Sequence, residues 1–129
     1  MGEATPDVQP GNLGHTLELL TGVIHERSTA DPATSYTAKL LKGNLDQLLK
    51  KIGEEGTELV MAVKDQSHDH IRYEAADLLY HLLVVLERTG VSADELAGEL
   101  DARMPQAYRK PRASATDLPA ETQDQRRQV

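Results

Sequence analysis

The chain has 129 residues, enough for one small domain. It holds no cysteine, which excludes a disulfide framework and a thiolate metal site. A formal charge of −7 at pH 7 argues against a nucleic-acid binder with a basic surface, although a divalent cation can still bridge an acidic protein to phosphate. No apolar run approaches the roughly 20 residues of a membrane span, and the first residues lack the basic and apolar regions of a signal peptide. A soluble cytoplasmic protein is therefore expected. With no Trp or Phe and only four Tyr, the core must be aliphatic, which suits helices.

Residues 1–11 carry Pro6, Pro10 and Gly11 with little that is apolar, and read as a flexible tail. Asn12–Arg27 places Leu13, Leu17, Leu20 and Ile24 at helical spacing. The stretch STADPATS is a loop, and Ser35 then caps a short helix, YTAKLL, which Gly43 ends. A long helix starts at Asn44, with Gln47 as a capping partner, and runs to about Gln66. Its stripe is Leu45, Leu48, Leu49, Ile52, Leu59 and Val63. The next helix, about Asp69–Thr89, is apolar nearly all round from Ala75 to Leu86, so most of its circumference should be buried. Gly90 stops it as a left-handed residue, and SADE at Ser92–Glu95 opens a last helix through Leu96, Leu100 and Met104 as a capping box. Residues 105–129 hold three prolines and no apolar period, and read as largely disordered. The expectation is an all-α, antiparallel helical bundle of four to five helices over residues 12–104, completed by dimerisation.

The carboxylates carry the chemistry. With Leu45 set at zero on its helix, the apolar stripe lies within about 60° of it, while Glu54, Glu58 and Glu55 fall near roughly 180°, 220° and 280° and Lys51 near 240°. The acids thus form a patch beside the stripe. On the following helix Glu74, Asp77 and His81 share an arc of about 60°, and Glu74–Asp77 repeats the i, i+3 spacing of Glu55–Glu58. Two such pairs on helices joined by a short loop can face each other, and four converging carboxylates repel unless a cation neutralises them. All-oxygen ligation suits Mg²⁺ or Mn²⁺, and Mg²⁺ readily adds substrate phosphates, so a nucleotide polyphosphate is the natural ligand. Gly53 and Gly56 each cost about 1 kcal/mol relative to Ala inside a helix. Either they admit a close approach by a helix or ligand, or they are tolerated on an exposed face.

The pattern ExxE at Glu55–Glu58 followed by ExxD at Glu74–Asp77 resembles the all-α nucleoside triphosphate pyrophosphohydrolases. Together SYTAKLL (Ser35–Leu41), KKIGEEGTELVMAVK (Lys50–Lys64) and EAADLLYHLLVVL (Glu74–Leu86) resemble the phosphoribosyl-ATP pyrophosphatase branch, from about Leu17 to Met104. The resemblance implies Mg²⁺-dependent hydrolysis of the α–β phosphoanhydride of phosphoribosyl-ATP, the second step of histidine biosynthesis. It implies metal binding by Glu55, Glu58, Glu74 and Asp77, and a catalytic role for one of Glu55, Glu58 and Glu54 in activating water. Lys51, Lys39 and Lys50 are candidate phosphate contacts, and Tyr36 a candidate to stack on base or ribose or to sit at the rim. His81 reads as a partner of the acids rather than a ligand, because hard Mg²⁺ prefers oxygen. Some family members are fused to the cyclohydrolase of the next step. That enzyme's zinc site needs cysteine, so a stand-alone form is expected here.

Two alternatives stay open on the residues alone. One keeps the fold and metal but takes dUTP, dCTP or a non-standard nucleotide, which four acids cannot distinguish. The other is a dimeric helical interaction module whose acids face solvent, with no metal.

Overall fold

The computed structural model describes residues 8–109; residues 1–7 and 110–129, most of both tails, lie outside the described residues. It is all-α, with five helices and no strand among the described residues: α1 (Leu13–Glu26), α2 (Tyr36–Lys42), α3 (Leu45–Lys64), α4 (His68–Thr89) and α5 (Ala93–Arg103), plus 3-10 turns at Arg27–Thr29 and Gln106–Tyr108. The chain falls into two units that divide after Gly90, the first holding α1–α4 and the second α5.

The helix starts follow from polar caps. Asn12, Ser35, Asn44 and Ser67 each accept a backbone N–H of the first turn through the side chain. In the second unit Ser92 and Glu95 form the reciprocal capping box, and Glu99 pairs with Arg103 at 3.0 Å. Gln47 gives Asn44 only its backbone N–H, so α3 begins with a simple cap rather than a box. At Gly43 a Cβ would stand 2.8 Å from the Lys39 carbonyl oxygen, which is why α2 stops on glycine. Gly90 adopts φ 83° and closes α4.

The α3–α4 connection is shorter than its residue chemistry suggests. Gln66, at φ 57°, occupies the left-handed slot usually given to Gly or Asn. Its N–H reaches Val63 O at 3.0 Å, and the N–H of Ser67 reaches Ala62 O at 3.2 Å, the paired bonds of a Schellman motif. Ser67 ends that motif and also caps α4. Two helices that pack along each other with so short a link must run antiparallel.

The core of the first unit is small and aliphatic: Ile24, Leu40, Leu48, Leu83 and Val84, flanked by half-buried Leu17, Leu20, Leu41, Tyr80, Val85 and Leu86. Here the structure departs from the apolar stripe. On α3 the buried line runs through Leu48, Glu55 and Ala62, turned by about 80° from Leu45. Leu45, Leu49 and Val63 are exposed, because α4 packs on the Glu55 side of α3. On α4 only Leu83 and Val84 of the apolar run are fully buried, while Ala75, Ala76 and Leu82 are exposed.

A non-glycine residue in the left-handed region costs about 1–2 kcal/mol. Gln66→Gly is therefore expected to stabilise the protein by about 1 kcal/mol. An unchanged or lower urea midpoint for this variant would show that the turn carries no such strain.

Candidate active site

The hairpin sets the heights of the acids. Glu58 and Glu74 each lie eight residues from Gln66, and Glu55 and Asp77 each lie eleven. At about 1.5 Å rise per residue, each pair sits level across the two helices. Glu55 and Glu74 point inward with core residues, at 0% and 7% exposure, while Asp77 and Glu58 are half-buried.

A third inward side chain joins them. His81 is 4% exposed and its Nδ1 lies 2.6 Å from Glu55 Oε1 and 3.0 Å from the Asp77 carbonyl oxygen. Its Nε2 lies 3.3 Å from the Tyr36 hydroxyl, which reaches in from the start of α2. Tyr80 packs edge-on against the imidazole and hydrogen-bonds Thr37. Sequence reasoning missed Tyr80 and Thr37; the only signal was the adjacency of Tyr80 to His81.

Three buried carboxylate oxygens have no hydrogen-bond partner: Glu55 Oε2, Glu74 Oε1 and Asp77 Oδ2. A buried acceptor without a donor is costly, and an ionised one more so. The charges respond to this environment. Burial raises the Glu55 pKa, and Asp77 adds to the rise, while His81 and the nearby Lys51 ammonium oppose it. Burial, the hydrogen bond with Glu58, and the charges of Glu58 and Asp77 push Glu74 up to about 7. The Tyr36 phenol is raised by burial and by the negative charges of Glu55 and Asp77, so it remains a donor at neutral pH.

The structure thus brings together Glu55, Glu58, Glu74, Asp77, His81 and Tyr36, with Lys51 close enough to act on Glu55. It leaves the others outside. Glu54 is exposed and pairs with Lys50 at 3.8 Å along the helix, and Lys39 is exposed on α2. Among the described residues no group of three His, Asp or Glu side chains is already arranged as a cage for a metal ion. The donor chemistry nonetheless fits a hard cation: all-oxygen, with Glu55 Oε2, Glu74 Oε1 and Asp77 Oδ2 lacking hydrogen-bond partners.

The family model described as phosphoribosyl-ATP pyrophosphohydrolase matches residues 17–104. The chain belongs to this family. It is 48% identical over 87 residues to the phosphoribosyl-ATP pyrophosphatase of Nitrosomonas eutropha, covering 67% of this chain and 74% of that protein. It is 45% identical over 101 residues to that of Rhizobium rhizogenes, covering 78% of this chain and 97% of the relative. The phosphoribosyl-ATP pyrophosphatase of Lactiplantibacillus plantarum is 45% identical over 87 residues, 67% of this chain and 82% of that one. Membership in this family supports a hydrolase of phosphoribosyl-ATP, acting in histidine biosynthesis.

The raised Glu74 pKa carries a stability consequence for the metal-free protein. Unfolded, Glu74 ionises near 4.5; folded, it holds its proton to about 7. Between these values the native state binds more protons, so stability falls as pH rises, by about 3 kcal/mol in all. In EDTA the urea midpoint of the wild type should drop from pH 4.5 to 7.5, and Glu74→Gln should remove most of that slope. Equal slopes for the two proteins would mean that Glu74 is not held protonated.

Proposed function

We propose that this chain hydrolyses phosphoribosyl-ATP at the α–β phosphoanhydride, giving phosphoribosyl-AMP and pyrophosphate, with a divalent cation held between α3 and α4. The observation that carries the reading is the set of three buried carboxylate oxygens without donors on two facing helices, Glu55 Oε2, Glu74 Oε1 and Asp77 Oδ2. Glu58, hydrogen-bonded to Glu74, completes the set. Mg²⁺, or Mn²⁺ in its place, would supply charge neutralisation for the polyphosphate and stabilise negative charge on the leaving pyrophosphate.

The chain's own groups have distinct parts. Glu55, Glu58, Glu74 and Asp77 would hold the cation. A carboxylate of the α3 pair, Glu55 or Glu58, orients the attacking water and receives its proton. Lys51 faces the acids and is the lysine best placed for a phosphate, whereas Lys39 and Lys50 contribute at most from the rim. Glu54 is exposed and engaged with Lys50, outside the buried set. The exposed ring of Tyr36 offers a face to the base or ribose. The cytoplasm, where ATP-derived intermediates are made, is the setting this substrate implies. No helix among the described residues is long and apolar enough to cross a membrane.

The decisive assay is pyrophosphate release with phosphoribosyl-ATP, dUTP, dCTP and ATP offered at equal concentration. Preference for phosphoribosyl-ATP is expected, abolished by EDTA and lowered at least about a hundredfold by Glu58→Ala or Asp77→Ala with the helical fold retained. Release from a deoxynucleotide alone would keep the site and replace the substrate.

The active form is a homodimer in this reading. Leu45, Leu49, Val60 and Val63 form an exposed apolar face of α3, and a Cβ at Gly53 or Gly56 would meet nothing within 4 Å. A face of this kind suits a second copy. Val60, 58% exposed, is a fair probe. Val60→Asp should shift the sedimenting species from dimer to monomer, and a dimer that survives the substitution would exclude this face.

A further inference from the structure

We propose that His81 is a positioning residue for Glu55: its Nδ1–H holds one carboxylate oxygen so that the other is presented free between α3 and α4, and Tyr36 locks the ring from α2. The inference deepens the metal-site reading above and rests on it. The geometry fixes which ring nitrogen carries the proton. Nδ1 faces the Asp77 carbonyl at 3.0 Å as well as Glu55 Oε1 at 2.6 Å, and a carbonyl can only accept. Nδ1 is therefore a donor whether the ring is neutral or charged. In the neutral ring Nε2 is left as an acceptor, and the Tyr36 hydroxyl 3.3 Å away donates to it.

The ring cannot turn freely. Tyr80 stands edge-on with centroids 4.9 Å apart, and Tyr36 edge-on at 6.2 Å. A buried carboxylate with one oxygen pinned has one orientation left. That orientation leaves Glu55 Oε2 buried, partnerless and available. An apolar residue at position 81 would leave both oxygens without donors, and the carboxylate would neutralise or rotate. The arrangement follows the general pattern in which a hydrogen-bonded neighbour orients a ligating carboxylate. It also keys α2 to the site through the Tyr36 hydroxyl on Nε2.

The test separates geometry from mere packing by using two isosteres. Asn at position 81 places its amide N–H where Nδ1–H lies; Gln places its amide near Nε2. Binding of Mn²⁺ alone is followed by the loss of the free-ion electron paramagnetic resonance signal, with thermal unfolding recorded for every variant. His81→Gln and His81→Leu should weaken Mn²⁺ binding about 10–100-fold, and His81→Asn should recover most of that loss. Tyr36→Phe, at a 52% exposed position that tolerates change, should weaken it about two- to tenfold. Wild-type affinity in folded His81→Gln, or equal losses in the Asn and Gln variants, would overturn the proposal. If the position 81 variants do not fold, Tyr36→Phe decides, and unchanged binding there counts against it. Glu55→Gln separates the two readings. If it binds Mn²⁺ as well as the wild type, the metal reading fails and the proposal with it. If it loses Mn²⁺ while His81→Gln does not, the positioning role alone fails.

Discussion

Glu55 sits on α3 at the same angular position as Leu48 and Ala62, and like them it is fully buried. An isolated carboxylate cannot stay ionised there, because desolvation far outweighs what surrounding apolar contacts return. The bond from His81 is the interaction that makes the position tenable, and much of the site is arranged around it. The imidazole must itself be held, which explains why Tyr36 and Tyr80 stand against it and why Thr37 holds Tyr80. One buried acid on α3 thus recruits side chains from α2 and α4.

That recruitment works only if the two long helices are in register, and the register is set at Gln66 and Ser67. A single residue inserted in the first turn of α4, ahead of Glu74, would turn the rest of that helix by about 100° relative to α3. Glu74, Asp77 and His81 would then leave the shared face together. The Schellman bonds and the Ser67 cap leave no slack for this, since Ser67 completes one helix end and begins the next. Strain at a glutamine in the left-handed region is tolerated in exchange for a link of minimal length.

Much of this was legible beforehand. Ser35, Asn44 and Ser92 occupy the cap positions expected of them, because side-chain capping is a local property, decided within three or four residues. Asn12 and Ser67 cap as well, where only a helix start and a loop were expected. The matched spacing of Glu55–Glu58 and Glu74–Asp77 also survives intact, because residues three apart share a face on any helix. What could not be read was the direction each helix turns. The apolar stripe on α3 marks a face that avoids water, but not which neighbour covers it. The stripe centre lies about 80° from the line that meets α4, so Leu45, Leu49 and Val63 are exposed while Leu48 and Glu55 are not. Nor does helical spacing bring His81 to Glu55 or Tyr36 to His81. Those contacts join residues 26 and 45 positions apart, and depend on the turn at Gln66 and on the placement of α2.

Among the described residues ten are buried, and three of these, Glu55, Glu74 and His81, are ionisable. In a core without Phe or Trp that share is large, and every such position is one where an aliphatic side chain would have added packing. The interior between α3 and α4 thus holds ionisable groups at a cost in stability, the pattern usual for functional sites. The missing apolar burial has a visible counterpart on the opposite side of α3, where Val60 and its neighbours stand in solvent. The two observations have one explanation. A helix that turns Glu55 and Leu48 inward to meet α4 leaves Leu45, Leu49, Val60 and Val63 outward, the face proposed above for a second copy. Catalytic geometry and oligomerisation would in that case be two consequences of a single rotation of α3.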